Sequence, residues 1–171
     1  MTFLFLIVWL ALSSAIAWAE APSVPLTIGH ADNGTSLPAF RLNTLQGLSI
    51  ESKALAGRVL ILNFWATWCG PCKEEMPSLE RLRQNFSSDQ LQILAVTTEN
   101  RPQEIQAFWQ QLELRFDVLL DEQEELSQAL MVRNLPTTVI VDAYGNLTGR
   151  VMGPREWDNT ETVSFIRSLM K

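Results

Sequence analysis

Both cysteines of this 171-residue chain lie in one short motif, Cys69-Gly70-Pro71-Cys72. Two thiols at C-x-x-C spacing can close a disulfide and open it again by exchange with another thiol or disulfide. A continuous apolar run leads into the motif, and a helical pattern leads out of it. A thiol at the start of a helix is well placed to react. The sequence therefore predicts a redox site at a strand-to-helix turn.

Other uses of two cysteines fit the sequence less well. A structural zinc site needs four ligands, and the chain offers two Cys and one distant His30, so carboxylates or a second chain would have to complete it. Haem attachment needs C-x-x-C-H, but Lys73 occupies the histidine position. A permanent structural disulfide would close a loop of four residues, which removes little entropy from the unfolded chain. Redox exchange is therefore favoured, and we expect neither a metal nor a cofactor.

The residues around the pair resemble the active-site motif of thioredoxin-like disulfide reductases of the TlpA/ResA type. The matching stretches are FWATWCGPCKEEMP at residues 64–77 and LPTTVIVDAYGN at residues 135–146. The approach segment 37–60 also fits, so the resemblance covers residues 36–171. It implies an α/β thioredoxin fold, in which a central mixed β-sheet has helices on both faces. An N-terminal hairpin extension and an inserted helical segment at residues 102–130 are expected in addition.

The two thiols of the pair have different positions and therefore different roles. The sulfur of Cys69 should face the unpaired amides at the start of the helix, which stabilise a thiolate. Cys72 lies within the first helical turn and should be more buried. We therefore assign Cys69 as the nucleophile that forms a mixed disulfide and Cys72 as the resolving thiol that breaks it. Cys69–Cys72 is then the redox-active disulfide.

The resolving step needs a proton acceptor for Cys72. In thioredoxins this acceptor is a strand aspartate two residues before the tryptophan of the Phe-Trp pair, but here that place holds Asn63, which cannot take up a proton. Glu75 is the expected replacement, because it lies three residues after Cys72 on the same helix face, and the TlpA/ResA resemblance includes this glutamate. The alternative is that Glu75 is a solvated acid favoured by the helix dipole, as we expect for Glu74.

A second component of the site is expected at Leu135 and Pro136. By resemblance, the Leu135–Pro136 bond is cis and forms a loop that packs against the disulfide, where the Leu135 backbone can pair with an extended substrate. Trp68, beside Cys69, is interpreted as a partly exposed lid on the site. Three other tryptophans are expected to pack inside the protein: Trp65, Trp109 and Trp157.

The hydrophobic pattern predicts the elements that position this site. A hairpin is expected from residues 40–43 and 48–50 around Gly47. Continuous apolar runs, typical of strands buried on both faces, lie at residues 59–64, 91–96 and 137–141, and a further strand at 147–152 follows a turn. The helix after Cys72 should bury Met76, Leu79, Leu82 and Phe86 and be kinked by Pro77. A second helix is expected to begin at Pro102, with Asn100 as its cap. A third is expected to span residues 122–131. A fourth is expected to be capped by Asp158 or Asn159.

The N-terminus predicts export from the cytoplasm. Residues 2–19 carry no charged side chain and end in Ala17-Trp18-Ala19, an A-x-A-like cleavage site. We interpret residues 1–19 as a signal peptide; an uncleaved signal anchor is the alternative, since the run approaches the roughly 20 residues that span a bilayer. Either interpretation places the rest in the periplasm. Residues 20–36 are expected to form a linker and residues 37–171 a thioredoxin-like domain.

Charge and compartment narrow the expected partners. The formal net charge of −6 argues against nucleic acid as a partner. A lone C-x-x-C pair in an oxidising compartment must receive electrons if it works as a reductant. The expected partners are therefore client proteins with disulfides and a membrane thiol electron donor. Contact with the membrane itself is expected only if the N-terminal segment is retained as an anchor.

The leading hypothesis is a protein-disulfide reductase. The resemblance implies clients in cytochrome c maturation or copper-site assembly. A disulfide oxidase or isomerase of the same fold is the main alternative, because the reduction potential decides the direction of exchange. A copper-binding module would need a further soft ligand. A peroxidase of the peroxiredoxin type would require Thr-x-x-Cys, whereas Thr67 lies one residue too close to Cys69.

Overall fold

The structure is a computed structural model that describes residues 35–171. The predicted signal segment, residues 1–19, and nearly all of the predicted linker, residues 20–36, lie outside the described residues. Within residues 35–171, no helix is long and apolar enough to cross a membrane.

The described residues form one mixed sheet of seven strands, in the order β2-β1-β5-β4-β3-β6-β7. The strands are β1 (Arg41–Thr44), β2 (Ser49–Glu51), β3 (Val59–Phe64), β4 (Leu91–Thr97), β5 (Asp117–Leu120), β6 (Thr137–Val141) and β7 (Leu147–Met152). The central strands β3, β4 and β5 run parallel, while β1, β2, β6 and β7 join antiparallel to their neighbours. The predicted N-terminal hairpin is present as β1 and β2.

Helices cover both faces of this sheet, as predicted. They are α1 (Gly70–Arg83), α2 (Pro102–Gln111), α3 (Glu125–Ala129) and α4 (Thr160–Ser168), with a short 3-10 helix at Ser52–Leu55. Because side chains alternate along a strand, Ile61 packs in a core shared with α1, α2 and α4, and Leu62 packs on the opposite face with α3. All six residues of β3 are buried, which explains its continuous apolar pattern.

An aromatic cluster fixes α2 over the end of β3. Trp65 stacks on Phe108 with ring centroids 5.5 Å apart, and its centroid lies 4.9 Å from that of Trp109. The Trp109 indole N–H donates to the backbone oxygen of Phe116 at 2.9 Å, which ties α2 to the segment that enters β5. Trp65 and Trp109 therefore pack inside the protein, as predicted.

The segment 102–130 contains a strand that the hydrophobic pattern did not reveal. β5 pairs with β4 through Ala95 and Val118 and with β1 through Asn43 and Leu120. Only four residues long and starting with an aspartate, β5 is too short to display a strand period. This segment is thus helix, strand and helix in turn.

The structure corrects the bounds of one predicted helix and the cap residue of another. The third helix is Glu125–Ala129 rather than 122–131, because the Asp121 carboxylate accepts the N–H groups of Leu126 and Ser127 and Glu124 has a left-handed φ of 58°. The second helix begins at Pro102 as predicted, but its N-cap is Arg101, without a side-chain cap bond, so the prediction for Asn100 was wrong.

The remaining helices agree more closely with the sequence. α4 is capped by Asn159, one of the two predicted residues, whose Oδ1 accepts the N–H of Thr162 at 2.8 Å. α1 continues through Pro77 as one element. Met76, Leu79 and Leu82 are fully buried along it, as the pattern predicted. Phe86 lies past the end of α1 and is only partly buried, so the prediction for it was wrong.

Candidate active site

The two cysteines are joined in a disulfide at the start of α1. The S–S distance is 1.99 Å and the Cα atoms are 5.3 Å apart. Cys69 is the N-cap residue, and its Sγ accepts the backbone N–H of Cys72 at 3.3 Å. The sulfur of Cys69 thus faces the helix N-terminus, as predicted, where unpaired amides and the helix dipole favour negative charge. Cys72 is fully buried and Cys69 is 6% exposed.

The end of β3 places this turn. After Phe64, the N–H of Trp65 donates to the oxygen of Val96 at 3.0 Å and extends the contact with β4. The chain then closes a turn in which the N–H of Cys69 donates to the oxygen of Ala66 at 3.1 Å. Pro71 stands in the first turn of α1, where its missing N–H leaves no hydrogen bond unmade.

Glu75 lies inside the protein, one turn along α1 from Cys72. It is only 2% exposed, so the alternative of a solvated first-turn acid is wrong. Its Oε1 accepts the Asn63 Nδ2 hydrogen at 2.8 Å. Its Oε2 accepts the indole N–H of Trp157 at 2.9 Å and the backbone N–H of Arg155 at 3.2 Å.

Burial controls the acidity of this carboxyl group. Desolvation raises the pKa of Glu75 above its ordinary value of 4.5, because the charged form loses its water. The hydrogen bonds from Trp157, Asn63 and Arg155 act in the opposite direction without cancelling this effect. A buried carboxylate with a raised pKa is a stronger proton acceptor than an exposed one.

Asn63 connects the sheet to this carboxyl group. It is fully buried in β3, and its amide nitrogen donates to Thr138 Oγ1 at 2.9 Å as well as to Glu75. Thr138 lies in register with Asn63 on the neighbouring strand β6. The position that holds an aspartate in thioredoxins therefore holds a neutral donor to Glu75 here.

Trp157 was predicted only to pack, and it also takes part in the site. It is fully buried, and its backbone N–H donates to the Ser78 hydroxyl at 3.1 Å. The guanidinium of Arg155 lies 5.5 Å from the centroid of the Trp157 ring. A buried indole N–H needs an acceptor, and this requirement was the sequence signal that could have linked Trp157 to a buried carboxyl group.

The Leu135–Pro136 peptide bond is cis, as the resemblance implied. Pro136 is buried and its carbonyl accepts the N–H of Gly153 at 2.9 Å. The next residue, Thr137, lies in register with Phe64 at the end of β3. Leu135 is partly buried and packs against the core cluster that includes both cysteines. The loop thus lies at the same end of the sheet as the disulfide.

Trp68 is 73% exposed beside Cys69. This exposure is greater than that of the partly exposed lid predicted from the sequence, and it leaves a large aromatic surface facing solvent at the site.

A carboxylate that the sequence analysis did not single out also reaches the site. Glu99 follows β4 and accepts hydrogen bonds from the backbone and the side chain of Thr67, two residues before Cys69. The parallel pairing of β3 and β4 was the signal that could have placed Glu99 near Thr67, because the loops after neighbouring parallel strands emerge at one edge of the sheet.

Among residues 35–171, no group of three or more His, Cys, Asp or Glu side chains is arranged to hold a metal ion. His30 lies outside the described residues.

A mixed sheet covered by helices on both faces, with a C-x-x-C disulfide at the first turn of α1, defines a thioredoxin-like redox protein. A model of the AhpC/TSA family matches residues 33–150. The chain is 30% identical over 128 residues to a thiol-disulfide oxidoreductase ResA of Bacillus cereus, covering 75% of this chain and 74% of that protein.

Solved structures give the same result. The thiol:disulfide interchange protein DsbE from Chlorobium tepidum matches with a TM-score of 0.73 and 25% identity, covering 82% of this chain and 99% of that one. StoA from Bacillus subtilis matches with a TM-score of 0.63 and 25% identity, covering 75% of this chain and 97% of that one. The chain belongs to the AhpC/TSA family and, within it, to the thioredoxin-like disulfide oxidoreductases of the TlpA/ResA type. It is an enzyme of thiol–disulfide exchange.

Proposed function

We propose that this oxidoreductase works outside the cytoplasm, in the periplasm, as a reductant of disulfides in client proteins. One observation carries the proposal: a buried carboxyl group with a raised pKa, Glu75, lies one helical turn after Cys72. This arrangement supplies a proton acceptor for the inner thiol, which a dithiol needs to complete the reduction of a client.

In the first step, the Cys69 thiolate attacks one sulfur of the client disulfide. An S–S bond forms between Cys69 and the client while the client's own S–S bond breaks and releases a thiolate, which takes a proton from water. The N–H of Cys72 is directed at the Cys69 sulfur, and it stabilises the negative charge before the attack.

In the second step, Cys72 resolves the mixed disulfide. The Cys72 thiol gives its proton to the Glu75 carboxylate, and the resulting thiolate attacks the Cys69 sulfur. The client's second sulfur leaves as a thiolate, which takes a proton from water, and the Cys69–Cys72 pair becomes the disulfide seen here. Two electrons have passed to the client. Because the protonated form of Glu75 is favoured in its buried position, this proton transfer is easier than transfer to an exposed carboxylate.

The client contacts would come from Trp68 and the loop at Leu135 and Pro136. Trp68 offers an exposed ring next to Cys69, and large aromatic side chains supply much of the binding energy at protein interfaces. The Leu135 backbone, just before the start of β6, would pair with an extended client segment as in strand addition.

The clients and the electron source are proposed from the resemblance to the TlpA/ResA type. Clients would be proteins of cytochrome c maturation or copper-site assembly, and a membrane thiol carrier would return two electrons to the Cys69–Cys72 disulfide. Residues 1–19 would direct export as a signal peptide or anchor the protein in the membrane.

The proposal is tested by measuring insulin reduction and the reduction potential of the purified protein in glutathione buffers. We expect insulin reduction that Cys69→Ser abolishes, and a potential near that of thioredoxin, about −270 mV. A potential near about −120 mV would instead identify an oxidant of the DsbA kind. Insulin reduction that survives Cys69→Ser would exclude the proposed site.

A further inference from the structure

The turn that carries Cys69 is held by a carboxylate from the neighbouring loop. Glu99 accepts two separate hydrogen bonds from Thr67, the backbone N–H on Oε2 and the hydroxyl on Oε1 at 2.8 Å. The N–H of Glu99 itself donates to Oγ1 of Thr97 at 3.2 Å, and Thr97 is buried at the end of β4. The carboxylate is therefore fixed to the sheet on one side and to the active-site turn on the other.

Thr67 lies inside the tight turn that presents the nucleophile. The N–H of Cys69 donates to the oxygen of Ala66, so Thr67 and Trp68 are the two central residues of this turn. A displacement of Thr67 therefore moves both the exposed ring of Trp68 and the sulfur of Cys69.

We propose that Glu99 is a positioning residue for Cys69, which holds the Thr67 turn through two hydrogen bonds and opposes ionisation of the Cys69 thiol through its negative charge. The inference rests on the proposed role of Cys69 as the attacking thiol. The hydrogen bonds favour attack because they fix the direction of the sulfur. The negative charge of Glu99 disfavours a thiolate on Cys69, because like charges repel. It therefore opposes the amide of Cys72 and the helix dipole, which stabilise that thiolate.

A second carboxylate, Asp121, makes the same pair of hydrogen bonds away from the active-site turn. Asp121 accepts a hydrogen bond from the backbone N–H of Ser127 at 2.8 Å and another from its hydroxyl at 2.6 Å. Asp121 is fully buried, and its pattern starts α3, which takes part in no step of the exchange. Glu99 is partly exposed, and its pattern holds a residue of the active-site turn.

The charge effect is tested on the full chain with Cys72→Ser, in which Cys69 is the single thiol. The rate of alkylation by iodoacetamide is measured against pH with and without Glu99→Gln. We expect the midpoint of the profile to move to lower pH and the rate below that midpoint to rise about threefold to tenfold. Glu104→Gln is the matched control, because this exposed carboxylate bonds to Arg101 and leaves Thr67 untouched.

The hydrogen-bond effect is tested with Cys72 intact. Thr67→Val removes the hydroxyl but keeps the charge of Glu99, and it should slow insulin reduction about fivefold to tenfold. Thr67→Ser keeps the hydroxyl and should match the parent protein. This pair also serves if Glu99→Gln fails to fold.

Two results would overturn the inference: a Glu99→Gln profile that coincides with that of Glu104→Gln, or equal rates for Thr67→Val and Thr67→Ser. Neither depends on the identity of the client. Failure of the proposed function is a different result, namely insulin reduction that persists after Cys69→Ser.

Discussion

The Asn63 side-chain amide donates a hydrogen bond to the Glu75 carboxyl group at 2.8 Å, and both residues are buried. In thioredoxins the strand position of Asn63 carries the aspartate that accepts a proton. Here the strand supplies a neutral donor and helix α1 supplies the carboxyl group. The proposed proton acceptor has thus moved from the sheet to the helix, while its surroundings remain buried.

Replacement of Glu75 by Gln should slow client reduction by about a hundredfold, which is within the usual contribution of a positioned acid or base. The rate of the parent protein should rise with pH as Glu75 ionises, because only the carboxylate accepts the proton of Cys72. That rise should be missing from the variant. Rapid-mixing measurements of insulin reduction across the acid and neutral range provide the check.

Glu74→Gln is the matched control for this experiment, since Glu74 is exposed on the same turn of α1. An identical pH profile for Glu75→Gln and the parent protein would remove Glu75 from the mechanism.

The stability of the protein should also report on Glu75. Its pKa in the folded protein is raised above the ordinary value of 4.5, so the folded state binds the proton more tightly than the unfolded state. The contribution of Glu75 to the free energy of unfolding is therefore largest below about pH 4.5 and is lost as pH rises through the folded pKa. Glu75→Gln should show no such loss of stability with pH, because the Gln side chain does not ionise. In urea titrations at several pH values, the difference in the free energy of unfolding between the parent protein and Glu75→Gln should grow with pH. A difference that stays constant with pH would contradict this prediction.

The fold could be predicted in most of its parts from the sequence, because long buried strands and the C-x-x-C turn leave clear patterns. β3 was predicted residue for residue, since all six of its side chains are buried. β5 was not predicted, because four residues that begin with Asp117 do not establish a period. Its place in the sheet is determined by pairing with β1 and β4, which the local sequence does not encode.

The site could be predicted where its residues are close in sequence, and less well where they are not. The pair Cys69 and Cys72, with Glu75 one turn later, follows from spacing on one helix. Trp157 reaches Glu75 from 82 residues further along the chain, and Glu99 reaches Thr67 across two parallel strands. Contacts of this kind depend on the tertiary fold, so spacing alone cannot reveal them.

Asn63→Asp should destabilise the protein in a pH-dependent way. The new carboxyl group would face that of Glu75 in a buried site, where two like charges cannot both be accommodated. At neutral pH we expect a loss of about 3 kcal/mol or more, the usual penalty of an uncompensated buried charge, and a smaller loss in acid. Thermal and urea unfolding measure this loss.

The double variant Asn63→Asp with Glu75→Gln is the control, because it keeps one carboxyl group and one amide with their positions exchanged. It should recover most of the lost stability. No recovery would show that the loss comes from Thr138, the other partner of Asn63, rather than from charge repulsion.

Cys72→Ser should trap the mixed disulfide. The variant keeps the attacking thiol but has no second sulfur to break the bond to the client, so a covalent adduct should accumulate. Mass spectrometry after incubation with insulin or a disulfide-containing peptide would identify the sulfur involved. Cys69→Ser is the matched variant and should form no such adduct, because Cys72 is fully buried. Stable adducts on Cys72 instead would reverse the two roles.

Trp68→Ala should weaken client reduction without weakening the fold. The ring is 73% exposed beside Cys69, so its removal costs little packing energy, but the client would lose an aromatic contact of the kind that contributes about 2 kcal/mol at an interface. We expect an increase of about thirtyfold in the client concentration needed for half-maximal rate and an unchanged reduction potential. Tyr144→Ala is the control, since Tyr144 is 71% exposed in the turn between β6 and β7, at the far end of β6 from Pro136. Equal effects of the two substitutions would exclude Trp68 from client binding.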